Sequence, residues 1–202
     1  MTVIAALKAK DKVYMGCDSI FMDMESYQTL KRTQSKLIIK DELVIGLTSG
    51  NGCRIFQLLK YKLKLPSTRK LKSDDLLEYL VVHFCGKLYK LLHAENLLQE
   101  DESRKNSDPS MSPVEFIIGI RDRMYQIGED FDVAEIDMPF FAIGTGGDYV
   151  MGSLEATTNL TNQLEPEHHL IYGMKAAEKF TASVKGPFQI VNTGDLCHLE
   201  LS

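Results

Sequence analysis

The sequence predicts an α+β domain in which two antiparallel sheets lie between helix pairs, a four-layer αββα sandwich. Three observations carry this. Apolar runs split by short polar turns recur as hairpins in the first fifty residues and again after residue 113. Each group of strands is followed by two stretches with helical apolar spacing. No strand–helix–strand unit repeats, which argues against a doubly wound parallel sheet.

Taken in order, Val3-Ile4-Ala5-Ala6-Leu7 and Val13-Tyr14-Met15-Gly16-Cys17 flank the charged turn Lys8 to Lys12 and end in Asp18-Ser19. This is the first hairpin. A polar, irregular piece runs from Ile20 to Ser35. Lys36-Leu37-Ile38-Ile39 and Leu43 to Leu47 then flank Lys40-Asp41-Glu42 as a second hairpin, which leads into Thr48-Ser49-Gly50-Asn51-Gly52. Small residues there let backbone N–H groups approach a ligand closely. Cys53 to Tyr61 has helical spacing, and Pro66 stops it. Ser73 reads as an N-cap with Asp74 and Asp75 in the first turn. A wide apolar stripe follows from Leu76 to about Leu98, with Gly86 arguing against one unbroken helix.

Residues 99–112 are polar, contain Pro109 and show no period, so they are expected to form a mobile surface loop. Val114 to Ile120 and Arg123 to Ile127 make a third hairpin across Arg121-Asp122. Glu129 to Met138 is acidic and turn-like. Pro139 to Ile143 reads as a strand running into Gly144-Thr145-Gly146-Gly147-Asp148, with a helix over Tyr149 to Thr158. A further helix starts at Pro166 and runs to about Thr181. Phe188 to Asn192 and Leu196 to Leu201 close the chain as short strands.

Length and composition bound the function. The 202 residues, 44% apolar and 25% charged, suit a single domain spanning 1–202 with a substantial core. A net charge of −5, with no basic arm interleaved with aromatics, argues against a nucleic-acid partner. No apolar run approaches the roughly 20 residues that span a membrane. With no targeting segment, a cytoplasmic location is expected. Cys17, Cys53, Cys85 and Cys197 form no C-x-x-C pair and read as reduced core thiols. His168 and His169 are adjacent, so on a helix they point about 100° apart and do not ligate together. Neither a metal nor a cofactor is expected.

The second residue carries the chemistry. With Met1 removed, Thr2 presents a hydroxyl beside a free α-amine, whose ordinary pKa of about 7.7–8.0 lets it accept a proton near neutrality. A threonine activated by its own amine is a known nucleophile design. The first hairpin brings Asp18 back towards Thr2.

With Gly16-Cys17-Asp18-Ser19, Lys36 at a strand start and Gly144-Thr145-Gly146-Gly147-Asp148-Tyr149 in order, the chain resembles the proteasome β-subunit family of N-terminal nucleophile hydrolases, especially the HslV-type peptidases. The glycine-rich turn has no P-loop lysine and so does not read as a phosphate site. The resemblance covers nearly the whole chain and implies a threonine peptidase. Thr2 would be the nucleophile once Met1 is gone, and the tolerance of methionine aminopeptidases for a following threonine makes a long propeptide unnecessary. Asp18, sixteen positions on, would orient the catalytic lysine. Lys36 matches that lysine, a few residues later than the family spacing, with Lys31 as its competitor. Gly50 matches the oxyanion-hole glycine, whereas Gly46 reads as structural. Thr145 falls where the family carries a serine near the amine. Of the family's acidic residue and serine after the last helix, the nearest register gives Thr181 and Val184, with Ser183 beside the latter. Phe21, Gln34, Thr48 and Gly52 would shape the substrate pocket.

The family's assembly implies a homo-oligomeric ring that admits peptide or unfolded protein substrates, and any ATPase unfoldase would be a separate partner, since this chain carries no ATP-binding motif. The alternative is a non-catalytic proteasome-like ring or scaffold subunit, motivated by Thr181 and Val184. A small-molecule amidase of the same class is disfavoured, because those enzymes usually begin with Cys or Ser.

Overall fold

The computed structural model describes residues 2–22, 29–31, 35–48, 52–99, 111–160 and 164–194. The strand expected over 196–201 and most of the 99–112 loop lie outside them.

Strands β1 (Ile4–Ala9) and β2 (Lys12–Cys17) form the first hairpin. Its two-residue turn puts both Lys10 and Asp11 at positive φ, 51° and 59°, the twist that matches a tight hairpin. Strands β3 (Ile20–Met22) and β4 (Thr29–Lys31) form a short hairpin inside the stretch that reads as irregular. Three-residue strands are too short to show an apolar period. Strands β5 (Leu37–Lys40) and β6 (Leu43–Leu47) are the second hairpin, as expected.

Helix α1 (Gly52–Gln57) continues as a wider π-type turn over Leu58–Lys62. A 3-10 turn, Ser73–Asp75, leads into α2 (Leu76–Tyr79), a second π-type stretch over Leu80–Cys85, and α3 (Gly86–Ala94). Ser73 is not the cap. Lys72 takes that position, and its N–H donates to the Asp75 carboxylate at 3.3 Å. Gly86 sits where the wide winding returns to α, and the helix ends at Ala94 rather than near 98. Just beyond, Asn96 at φ 54° turns the chain away, a conformation asparagine tolerates well.

The third hairpin is β7 (Phe116–Ile120) and β8 (Arg123–Ile127). A short edge strand, β9 (Val133–Glu135), lies within the stretch read as a turn. Strand β10 (Phe140–Ile143) runs into α4 (Gly147–Leu160), then α5 (Pro166–Phe180), which has proline in its first turn, and β11 (Gln189–Asn192).

Two main sheets result, ordered β10-β1-β2-β11 and β5-β6-β7-β8-β9, and every pairing is antiparallel. Alternation along β1 explains how they are covered. Val3, Ala5 and Leu7 point to a core shared with Val150 and Leu154 of α4 and Leu170, Met174 and Ala177 of α5. Ile4 and Ala6 point the other way, into a core with Met15, Leu37, Val44 and Ile117. The far face of the five-stranded sheet, with Ile45 and Ile118, packs on Ile55, Leu76, Phe84 and Leu88 of the first helices. Gly46 has a packing role: a Cβ there would strike Ile4, with Leu37 at 3.1 Å and Met15 at 3.2 Å. Among the described residues, no helix is long and apolar enough to cross a membrane. Cys17 and Cys85 are free thiols.

Candidate active site

The pairing of Ile4 with Cys17 sets the residues flanking the hairpin's open end beside each other. Thr2 and Asp18 meet there. The Thr2 hydroxyl donates to Asp18 Oδ1 at 2.6 Å. Lys36, immediately before β5, reaches across from the second sheet. Its ammonium donates to Thr2 Oγ1 at 2.7 Å and to Asp18 Oδ1 and Oδ2 at 2.8 and 2.9 Å. Backbone N–H groups of Val3 and Ile20 complete the carboxylate's partners, at 3.0 and 3.3 Å. All three side chains are inside the protein, with Thr2 0%, Asp18 1% and Lys36 2% exposed. A buried ion pair is tolerable only where such extra hydrogen bonds satisfy the remaining lone pairs, as they do here.

Burial pushes the Lys36 ammonium below the ordinary lysine value, against the opposing pull of the Asp18 carboxylate. The folded protein therefore holds this proton less tightly than the unfolded chain. Lys36 costs stability below its folded pKa, and that cost is relieved as pH rises towards 10.5. If the charged ammonium is the working form, the alkaline limb of kcat/KM is expected below 10.5, readable from a pH–rate profile with a peptide substrate. One residue before Asp18, burial pushes the Cys17 thiol up to about 11, so it is an inert neighbour.

The glycine-rich turn closes on Thr2 from the other side. Thr145 Oγ1 donates to the Thr2 carbonyl at 3.3 Å and shares a 2.8 Å hydrogen bond with Ser183 Oγ. Gly144 adopts φ +87°, and a Cβ on it would run into the Thr2 carbonyl oxygen. A Gly144→Ala protein is thus expected to lose about 1–2 kcal/mol from the left-handed backbone alone, with Thr2 displaced. A lowered Tm together with reduced peptide turnover would register both effects.

The remaining expected site residues divide. The Phe21 ring lies 4.9 Å from the Lys36 ammonium, inside cation–π range. Thr48 is engaged elsewhere: its hydroxyl accepts from the Glu115 N–H at 3.0 Å and ties the end of β6 to the start of β7. Gly52 opens α1. Gly50 and Gln34 fall outside the described residues. Lys31, the competing lysine, lies on the exposed strand β4. Thr181 is turned away, its hydroxyl donating to the Ala177 carbonyl of its own helix at 2.8 Å, and Val184 is core. Ser183 is the hydroxyl that reaches the turn. Lys185 follows it, and its carbonyl accepts from the Ser19 N–H at 3.1 Å. The backbone donors of Val3 and Ile20 and the left-handed Gly144 were not legible as site features, although the run of three glycines around Thr145 marks unusual backbone.

The sequence matches no protein-family model, and no curated protein matches it. The fold does have solved counterparts. BPH of Thiobacillus denitrificans aligns with a TM-score of 0.72 at 18% identity over 94% of this chain and 96% of its own. It is also known in complex with epoxomicin, at 17% identity, a TM-score of 0.72 and coverages of 94% and 97%. HslV of Trypanosoma brucei aligns with a TM-score of 0.61 at 16% identity, covering 94% and 98%. Anbu of Pseudomonas aeruginosa, seen as a helical assembly, aligns with a TM-score of 0.60 at 16% identity, covering 94% and 80%. At these identities the likeness establishes the fold, and it is the α+β fold of HslV-type proteins that the resemblance implied.

Proposed function

We propose that this chain is a threonine-type endopeptidase whose nucleophile is Thr2 after removal of Met1. One observation carries the proposal: a buried hydroxyl held between an ammonium at 2.7 Å and a carboxylate at 2.6 Å, one residue into the chain. In the reaction, Thr2 Oγ attacks the scissile carbonyl and its proton passes to the freed α-amine, directly or through water. Lys36 lowers the cost of negative charge on Oγ and disfavours a second positive charge on the amine. Asp18 holds Lys36 in place. The N–H of Gly50 stabilises the oxyanion. Collapse expels the amine of the leaving peptide with a proton from the α-amine, and water then hydrolyses the Thr2 ester. Thr145 and Ser183 position the Thr2 carbonyl, and Phe21 borders the substrate pocket.

The same reading extends to the architecture. The three cores fit the four-layer αββα stacking in one domain. The helical assembly of Anbu supports self-association of this chain, here read as a ring. Its substrate is an unfolded or peptide chain in the cytoplasm, with any ATPase supplied by another protein.

Epoxomicin, which the BPH counterpart binds, provides the test. Intact-mass spectrometry of the protein isolated from its natural host should show a chain lacking Met1, and incubation with epoxomicin should add one inhibitor mass to it. A chain that retains Met1 and takes up no inhibitor would overturn the enzymatic reading in favour of a non-catalytic assembly subunit.

A further inference from the structure

Glu178 stands where a carboxylate is disfavoured twice. Leu170 and Met174 of α5 are fully buried in the core beside β1, and Glu178 continues their row at four-residue spacing. It also lies in the last turn of α5, where the helix dipole opposes negative charge. An acid kept in such a place needs a partner. Its partner is the backbone of the loop that follows: the Gly186 N–H donates to Glu178 Oε1 at 3.1 Å.

That loop, residues 181–188, joins α5 to β11 and touches both halves of the candidate site. Ser183 is 4% exposed and shares a 2.8 Å hydrogen bond with Thr145 Oγ1. The single proton of the Thr145 hydroxyl goes to the Thr2 carbonyl at 3.3 Å, so Ser183 is the donor in this pair. Two residues on, the Lys185 carbonyl accepts from the Ser19 N–H at 3.1 Å and from the Ser19 hydroxyl at 3.3 Å, next to Asp18. Between these contacts Val184 is fully buried under the glycine-rich turn, where a Cβ on Gly146 would lie 3.0 Å from it. Strand β11 then enters the sheet with Gln189 paired to Cys17, the neighbour of Asp18. One segment thus braces Thr2 through Thr145 and Asp18 through Ser19.

Residues 181–188 form turns and bends rather than a strand or helix, so side-chain and core contacts must set their path. Thr181 ties down the start of the loop, with its N–H and its hydroxyl both donating to the Ala177 carbonyl. Glu178 ties the far end, one residue past Lys185. A carboxylate accepting from a backbone N–H is a charge-assisted bond, stronger than its neutral counterpart.

We propose that Glu178 is a positioning residue for the reaction at Thr2. By holding the Gly186 N–H it fixes the loop that presents the Ser183 hydroxyl to Thr145 and the Lys185 carbonyl to Ser19. It thereby keeps the nucleophile aligned with the Lys36–Asp18 pair. Its effect on turnover rests on the reading of Thr2 as the nucleophile; its hold on the loop does not.

The test compares Glu178→Ala and Glu178→Gln with the parent, each isolated without Met1. Glutamine keeps an oxygen that can accept from Gly186, and alanine does not. Glu178→Ala should lower kcat by about 10- to 100-fold with KM within about twofold of the parent, since the binding surface is kept and alignment is lost. Glu178→Gln should recover most of that kcat. Hydrogen exchange read by mass spectrometry should be faster at the Ser19 amide in Glu178→Ala, far in sequence from the substitution, and parent-like in Glu178→Gln. Combined with Ser183→Ala, the Glu178→Ala loss in kcat should shrink, because the two act through a shared contact. Parent-like kcat in Glu178→Ala, a raised KM in place of the lowered kcat, full additivity with Ser183→Ala, or no rescue by glutamine would each overturn the proposal. A parent that neither cleaves peptides nor takes up epoxomicin would overturn the endopeptidase reading instead, and Ser19 exchange would then decide alone whether Glu178 holds the loop.

Discussion

Thr2→Ala should leave a folded, assembled protein whose peptide cleavage has fallen by at least about 10³-fold. The substitution removes the hydroxyl that accepts from Lys36 and donates to Asp18, together with one methyl group. The Lys36–Asp18 pair survives it, because two further hydrogen bonds join those side chains. The stability cost should then be about 1–2 kcal/mol, the usual range for one well-formed hydrogen bond and a small buried group. Thr2→Ser keeps the oxygen and should retain much of the activity. The readouts are hydrolysis of a fluorogenic peptide and the elution volume of the assembly. Cleavage by Thr2→Ala at the parent's rate would exclude Thr2 as the nucleophile.

Asp18→Ala is expected to act on both activity and stability. It leaves the Lys36 ammonium buried without its counter-charge and strips the acceptor from Thr2 Oγ, Val3 N and Ile20 N. Breaking one side of a buried pair costs about 3–5 kcal/mol, so a large fall in the denaturation midpoint should accompany loss of turnover. Lys36→Met separates the two effects. It removes the charge but fills much of the space, and Asp18 keeps the hydrogen bonds from Thr2, Val3 and Ile20. This variant should lose turnover as completely as Asp18→Ala at a smaller cost in stability. Equal destabilisation by both would show that the Asp18 carboxylate stranded without Lys36 costs as much as the ammonium stranded without Asp18, whatever hydrogen bonds it keeps from Thr2, Val3 and Ile20.

The residues that meet at the candidate site were legible because local rules place Thr2 and Asp18 together and the resemblance points to Lys36. A two-residue turn and strict pairing bring Asp18 back to Thr2, and the onset of the apolar run at Leu37 marks Lys36. What stayed hidden depends on partners far along the chain. The Thr48 hydroxyl looks available in the sequence, yet it bonds Glu115, 67 residues away, once β6 and β7 pair. Ser183 and Thr181 are chemically alike on paper. Thr181 sits where the last turn of α5 can absorb its hydroxyl, and Ser183 falls beyond the helix, where the chain crosses to Thr145. Strands β3 and β9 were missed because three residues carry no period, and their existence depends on the neighbours they pair with. The π-type windings left no mark either, since an amphipathic stripe reads the same through one wide turn.

The placement of β1 has a consequence for how the molecule breathes. Chain ends usually fray, and a nucleophile at a terminus would then spend much of its time out of alignment. Here the first strand is interior to its sheet, flanked by β2 and β10, and its side chains are shared between two separate cores. Amides from Ile4 to Leu7 can exchange with solvent only when those neighbours part, so protection should rise steeply within a few residues of the N-terminus. Strand β1 is thereby expected among the slowest-exchanging parts of the molecule, and the Thr2 hydroxyl beside it is kept in register by global rather than local stability.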